Sequence, residues 1–105
     1  MTAAHADLVN RLLLALSSHG CLVVKFNTGQ AVTRNGYTIR FGCEGWADII
    51  GCTPAGRFLA VEVKTGKGRL RDKQKAFRDA VVRHGGIHIE ARSVEQVMGE
   101  LEAGA

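Results

Sequence analysis

Two apolar segments joined by a short turn constrain the fold of this chain more than any other feature. Residues 46–51 and 57–64 are rich in strand-forming side chains, and residues 53–56 between them read Thr-Pro-Ala-Gly. Proline at the second position of a turn and glycine just after it favour a type I turn closed by a left-handed residue. We therefore predict a β-hairpin with a three-residue loop.

The register of this hairpin brings two acids together. With a three-residue loop, Thr53 opposes Arg57, and counting outward places Asp48 opposite Glu62. Cross-strand partners point to the same face, with Cβ atoms roughly 5 Å apart. Lys64 lies two residues beyond Glu62, so it shares that face. Two carboxylates and an ammonium are therefore expected to converge at one end of the hairpin.

Two acids and a lysine in this arrangement suit metal-assisted hydrolysis. Like charges repel unless a cation lies between them, and Mg²⁺ prefers oxygen ligands. The bound ion would activate a water and stabilise charge on a phosphodiester. Lys64 would orient or help deprotonate that water, or neutralise charge at the phosphate. The alternative is an ordinary surface pair, since Glu-x-Lys is common, but Asp48 and Glu62 lie in apolar strands where unpaired acids are costly.

A basic segment begins at this same point. Seven of the fourteen basic residues fall within the fifteen positions 64–78, opposed only by Asp72. Such a concentration is the electrostatic footprint of a protein that binds a phosphate backbone, although a solvated helix face is the alternative. The candidate nucleic-acid-binding residues are Lys67, Arg69, Arg71, Lys73 and Lys75.

The remaining periodicities predict an α/β fold. No composition shift or linker divides the chain, so residues 1–105 are expected to form a single domain. Turn signals occur at 27–29 and 35–36. Ser93 and Gln96 have the spacing of a capping box. The order helix, three strands, helix, strand, helix implies a mixed sheet flanked by helices. Helices are expected at about 4–18, 71–84 and 93–101, with further strands at 21–26 and 87–91. Residues 37–41 could form an additional strand.

Several classes of protein are disfavoured. No apolar stretch approaches the length of a membrane span, and the N-terminus lacks the basic region of a signal peptide, so we expect a cytoplasmic protein. Cys21, Cys43 and Cys52 are odd in number and widely spaced. A disulfide framework or a zinc site is therefore not expected, and we interpret the cysteines as buried thiols.

The segments GWADIIG (45–51) and FLAVEVK (58–64) resemble the PD-(D/E)XK nucleases. More narrowly, the chain is similar to a stand-alone VRR-NUC domain of the kind found in phages. The likeness continues through residues 66–74 and 85–86, and more weakly at 27–29. It implies a restriction-endonuclease-like αβββαβ core, here followed by an extra C-terminal helix.

The resemblance also implies roles for individual residues. Asp48 and Glu62 would ligate Mg²⁺, for which Mn²⁺ can substitute, and the carbonyl of Val63 would be a further ligand. Lys64 would be the catalytic lysine, and Gln74 an active-site partner. Stand-alone members of the family are similar to Holliday-junction resolvases, so the implied protein is a homodimer that cuts branched DNA in a phage-infected or bacterial cell.

The chain departs from the family at the first helix, which usually carries a metal-binding glutamate. Aligning residues 8–10 to the usual pattern places Ala6 there, with Asp7 about 100° around the helix and His5 also near. Either Asp7 serves as a metal ligand, or the site is weakened, or the residue was changed to disable cleavage. Glu44 is a smaller departure, at a position where proline is frequent. One alternative is a module that binds branched DNA without cutting, and another is a basic domain that docks on an acidic protein.

Overall fold

The computed structural model describes residues 2–26, 29–41 and 44–104. The predicted turn residues Asn27 and Thr28, and the Cys43 thiol, lie outside this range. Cys21 is a buried free thiol, as expected, whereas the free thiol Cys52 is only half-buried. The elements are α1 (Ala3–Ser18), β1 (Leu22–Lys25), β2 (Gly29–Val32), β3 (Thr38–Phe41), β4 (Ile49–Cys52), β5 (Phe58–Val63), α2 (Asp72–Arg83), β6 (Ile87–Ala91) and α3 (Val94–Glu102).

Four strands form a mixed sheet in the spatial order β1-β4-β5-β6. The β1–β4 and β4–β5 pairs are antiparallel, whereas β5 and β6 are parallel. Parallel neighbours need a crossover connection, which α2 supplies. Counting only the strands of this sheet gives the predicted α-β-β-β-α-β order, with α3 as the extra C-terminal helix. The predicted α/β fold class is confirmed.

β2 and β3 form a separate two-stranded ribbon outside the main sheet. The strand predicted at 37–41 is present, but it pairs with Gly29–Val32, which the sequence pattern did not indicate as a strand. The Thr33 N–H donates to the Tyr37 carbonyl at 2.7 Å, and Gly36 adopts φ +86° in the predicted turn. This tight turn folds β3 back onto its neighbour in sequence.

The core lies between α1 and one face of the main sheet. Val9, Leu12 and Leu16 recur at helical spacing and are 0% exposed. They belong to one apolar cluster with Leu59 and Val61 of β5. Full burial of each such side chain contributes about 1.5–3 kcal/mol. This packing holds the first turn of α1 beside the end of β5.

The β4–β5 hairpin has the register predicted from the sequence. Cys52 pairs with Phe58 and Ile49 with Val61, so the next pair outward is Asp48 with Glu62. The Gly56 N–H donates to the Thr53 carbonyl at 2.8 Å, and Gly56 has the left-handed φ of +87° that closes the loop. Its strands are shorter than predicted, since β4 begins only at Ile49. Asp48 therefore lies immediately before the strand.

The helices begin and end close to the predicted positions. Ser93 caps α3, because its Oγ accepts a hydrogen bond from the Gln96 N–H at 3.1 Å. The Gln96 Oε1 accepts from the Arg92 N–H at 2.7 Å, so the return bond of the predicted capping box is displaced by one residue. None of the helices in the described part of the chain is long and apolar enough to cross a membrane.

Candidate active site

Asp48 is held from both sides of β4. The Phe26 N–H donates to the Asp48 carbonyl at 2.7 Å, which extends the β1–β4 pairing by one residue. The Val63 N–H donates to Asp48 Oδ2 at 2.8 Å. The second bond joins the carboxylate to the strand that carries Glu62. The side chain of Asp48 is therefore fixed at the end of the hairpin.

Glu62 is buried against Asp48 and only 5% exposed. Burial, followed by a hydrogen bond to the Asp48 carboxyl and by the Asp48 charge, raises the pKa of Glu62 from 4.5 to about 8. The cationic side chains of Lys64 and Arg71 lower this pKa in part. Two acids in such contact either share a proton or hold a cation between them. The expected convergence of Asp48 and Glu62 is therefore present.

Lys64 follows β5 directly, two residues beyond Glu62. Its backbone N–H donates to the Ala91 carbonyl at 2.9 Å, which continues the parallel β5–β6 pairing. Its side chain is half-buried, and its ammonium acts electrostatically on Glu62. Gly68 lies against the alkyl stem of Lys64, since a Cβ at that glycine would be 3.6 Å from Lys64 Cδ. The glycine-rich loop therefore supports the lysine from one side.

The first helix contributes a histidine to the site. His5 Nε2 lies 3.0 Å from the Val63 carbonyl oxygen and 3.3 Å from Asp48 Oδ2. Asp7, the ligand considered from the sequence, is exposed. Thr2 caps α1 by accepting from the His5 N–H at 3.1 Å, which fixes this turn. His5 was named only as a neighbour of Ala6, since sequence spacing does not reveal how a helix docks.

The donor atoms gathered here are of the kinds that a divalent cation binds. The predicted ligand oxygens of Asp48 and Val63 converge, because one atom, His5 Nε2, contacts both. The Glu62 carboxyl, which hydrogen-bonds Asp48, adds a hard oxygen donor of the kind that Mg²⁺ and Mn²⁺ prefer. In residues 2–26, 29–41 and 44–104, no three His, Cys, Asp or Glu side chains already have the spacing of a metal site. Closing the set around an ion therefore requires a side-chain adjustment.

A basic cleft of about 750 Å³ adjoins the acids. Lys67, Arg69 and Lys75 line it, together with Arg78. Glu90 also lines it and stands beside Glu62 in the parallel register of β5 and β6. Glu90, which lines the cleft, and Glu62 therefore lie on adjacent strands of one sheet.

Arg92 was not a candidate from the sequence, yet it organises the cleft. Its guanidinium donates to the Gly66 carbonyl at 3.1 Å, to the Gly68 carbonyl, and to Glu90 at 2.9 Å. These bonds tie the glycine-rich loop to the end of β6. Because 26 residues separate Arg92 from Gly66, no local pattern indicated the contact.

Three other candidates lie around the start of α2. The Gln74 Oε1 accepts from the Arg71 N–H at 2.9 Å, and Gln74 is buried. Arg71 is the N-cap residue, and its charge acts on Glu62. Lys73 forms an exposed ion pair with Glu44 at 2.8 Å, apart from the residues that line the basic cleft. Gln74 therefore positions the helix that carries Arg71.

Trp46 packs within an aromatic group beside the hairpin. Its ring is stacked on Phe77 of α2, with centroids 4.6 Å apart and planes at 27°, and it also contacts Phe26 and Phe58. This packing gives Trp46 a structural role. It also fixes the segment that leads into Asp48.

Comparison with known proteins identifies the family of the chain. A search of curated proteins found no match to the chain. Residues 22–95, which include the Asp48–Glu62 hairpin, Lys64, the basic loop and β6, match the VRR-NUC domain. This span covers most of the chain, whose mixed α/β fold is consistent with a nuclease core. The protein therefore belongs to the VRR-NUC family of nucleases, for which DNA is the implied partner.

Proposed function

We propose that the protein is a metal-dependent endonuclease that hydrolyses DNA phosphodiester bonds. The hairpin register that places Asp48 opposite Glu62, beside Lys64, carries the proposal. These carboxyls and the Val63 carbonyl would hold Mg²⁺, with Mn²⁺ able to substitute. The bound ion would polarise the scissile phosphate and activate the attacking water.

The protein's own residues act on the nucleic acid and its charge. The ammonium of Lys64, next to Glu62, stabilises negative charge that develops on the phosphate. Gln74 acts indirectly. Its side chain accepts a hydrogen bond from the Arg71 N–H and so holds the start of α2 in place. Lys67, Arg69 and Lys75 bind the phosphate backbone on either side of the scissile bond, so affinity falls as salt rises. Contacts to phosphates position DNA without reading its sequence.

Branched DNA is the substrate we propose, with a homodimer as the active assembly. Cleavage directed by phosphate contacts selects DNA shape rather than sequence, and the resemblance to junction resolvases favours a four-way junction. A second copy is favoured because β1 is an edge strand and exposes Leu22 and Val24, which are 73% and 56% exposed. Paired subunits would let two strands of a junction be cut together.

The proposal is tested by incubating labelled four-way junction, flap and linear duplex with the protein. Each reaction is run with Mg²⁺, with Mn²⁺ and with a chelator. An Asp48→Asn preparation, purified in the same way, controls for contaminating nuclease. Cutting that requires the metal, prefers the junction and disappears in Asp48→Asn supports the proposal. Equal cutting by both preparations contradicts it.

A second candidate function is binding of branched DNA without cleavage. The sequence feature that favours it is Ala6, which the resemblance aligns with the metal-binding glutamate that the family usually carries on its first helix. The Ala6→Glu variant separates the two functions. If wild type binds a junction but does not cut it and Ala6→Glu restores cutting, the chain is a disabled nuclease. If both proteins only bind, the binding module is favoured.

A further inference from the structure

The distances from His5 Nε2 to its two neighbours match the spacing of adjacent ligands around a metal ion. Neighbouring ligands of an octahedral ion bound at about 2.1 Å lie about 3 Å from each other. His5 Nε2 is 3.0 Å from the Val63 carbonyl oxygen and 3.3 Å from Asp48 Oδ2. The same nitrogen therefore lies at ligand-to-ligand distance from two proposed metal ligands.

Metal binding by His5 depends on which ring nitrogen carries the proton. His5 Nδ1 is buried, and no group in the described part of the chain hydrogen-bonds it. A metal-binding imidazole uses the lone pair of one nitrogen while the other carries the proton. The Val63 carbonyl can only accept a hydrogen bond, so Nε2 carries the proton in the metal-free protein. Binding an ion through Nε2 requires this proton to move to Nδ1, which is buried without a partner in the described part of the chain. The alternative is that Nε2 only donates a hydrogen bond to Val63.

We propose that His5 is the metal ligand supplied by the first helix, in place of the glutamate that the resemblance aligns with Ala6. This inference rests on the proposed metal-dependent nuclease and adds a nitrogen to its oxygen ligands. Imidazole favours Mn²⁺ and later transition ions over Mg²⁺, which prefers oxygen. The site is therefore expected to select Mn²⁺ over Mg²⁺ more strongly than an all-oxygen site.

The docking of α1 supports a dedicated role for His5. Thr2 caps the helix at the His5 N–H, and the Val9, Leu12 and Leu16 stripe anchors it to the sheet. The imidazole is consequently presented to Asp48 by rigid structure. Its side chain is 18% exposed, which leaves little room for it to leave the site when an ion enters.

Electron spin-echo spectroscopy of bound Mn²⁺ tests the assignment without requiring cleavage. Nitrogen coordinated to Mn²⁺ produces a characteristic ¹⁴N modulation. The wild-type protein, His5→Gln and His19→Gln are compared. Each is loaded with Mn²⁺ after a chelator has removed contaminating metal ions. His19 is an exposed histidine just beyond the end of the same helix, which makes it a matched control. Thermal unfolding without metal verifies that the variants fold.

The expected result is ¹⁴N modulation in wild type and His19→Gln that is lost in His5→Gln. Mn²⁺ affinity, measured by calorimetry, should fall by about tenfold or more in His5→Gln, with a smaller loss for Mg²⁺. His5→Glu should retain binding while its preference shifts toward Mg²⁺. Mn²⁺ binding that depends on Asp48 but shows no ¹⁴N modulation would overturn the role of His5 and leave the proposed function standing. Absence of any Asp48-dependent Mn²⁺ binding overturns both.

Discussion

The backbone N–H of Val63 donates to Asp48 Oδ2 at 2.8 Å, and this bond ties the geometry of the site to the register of a hairpin. The β4–β5 register places Asp48 opposite Glu62, and the bond to the next residue turns the Asp48 carboxylate toward β5. A slip of one residue would move every side chain to the other face of the sheet. The turn at residues 53–56 therefore helps to determine whether the two acids meet.

Replacing Glu62 by glutamine should stabilise the metal-free protein at alkaline pH. Below pH 4.5 Glu62 is protonated in both the folded and the unfolded chain, so its ionisation does not affect the free energy of unfolding. Between 4.5 and about 8 the unfolded chain ionises while the folded protein retains the proton, so wild-type stability falls with rising pH. The advantage of Glu62→Gln should exceed about 1 kcal/mol by pH 8.

Urea unfolding with a chelator present, from pH 4 to 9, measures this advantage. The difference in the free energy of unfolding between Glu62→Gln and wild type should widen up to about pH 8 and then level off. A gap of the same size at every pH would show that the Glu62 carboxyl is not held protonated.

Replacing Lys64 by alanine should reduce cleavage while leaving Mn²⁺ binding in place. Proton transfer or charge stabilisation by such a group contributes on the order of a hundredfold or more to the rate. Lys64→Arg distinguishes these roles, because arginine keeps the charge but does not release its proton near neutral pH. Partial recovery in Lys64→Arg indicates stabilisation of charge, and no recovery indicates proton transfer. Full activity of Lys64→Ala in single-turnover cleavage would refute a catalytic role.

The basic cleft should set the salt dependence of DNA binding. Removing Lys67 or Lys75 should weaken binding to a duplex or junction and reduce the slope of log K against log salt by about 0.9 for each lost phosphate contact. Arg83→Ala is the control, since Arg83 is exposed at the opposite end of α2. Equal slopes for wild type, Lys67→Ala and Lys75→Ala would place the DNA elsewhere.

Replacing Arg92 by alanine should loosen the glycine-rich loop. The bonds of Arg92 to Gly66 and Gly68 are partly exposed, so their loss should cost only about 1 kcal/mol. The Gly68 N–H, which donates to the Thr65 carbonyl at 3.1 Å, should exchange faster with solvent. Arg57→Ala is the matched control, because Arg57 makes a similar bond to the Gly85 carbonyl. Unchanged exchange at Gly68 in Arg92→Ala would show that the loop does not need the arginine.

Local turn chemistry explains why much of the site was predictable from the sequence. Proline and glycine within residues 53–56 determine a three-residue loop, and the pairing of Asp48 with Glu62 follows by counting. Other contacts depend on how elements pack. His5 meets Val63 across 58 residues, which required the docking of α1. β2 was missed because Gly29–Val32 is too short and too poor in strand-forming residues to stand out.

The basic segment illustrates the same limit. Its charge was visible in the sequence, but helix geometry separates its members. Lys75 and Arg78 are three residues apart on α2 and share a face, whereas Lys73 lies about 200° from Lys75. Lys75 therefore lines the cleft, and Lys73 pairs with Glu44.

Single-turnover cleavage of a labelled four-way junction by wild type, Asp48→Asn and Glu102→Gln tests whether Asp48 and Glu62 form the active site. Asparagine can still accept the Val63 hydrogen bond but removes the charge that would hold a cation, whereas Glu102 is an exposed acid of α3 outside the site. With Mg²⁺ or Mn²⁺, Asp48→Asn should cut at least about a hundredfold more slowly than wild type. It should bind the junction normally, and Glu102→Gln should match wild type. Wild-type cleavage by Asp48→Asn would contradict an active site built on Asp48 and Glu62.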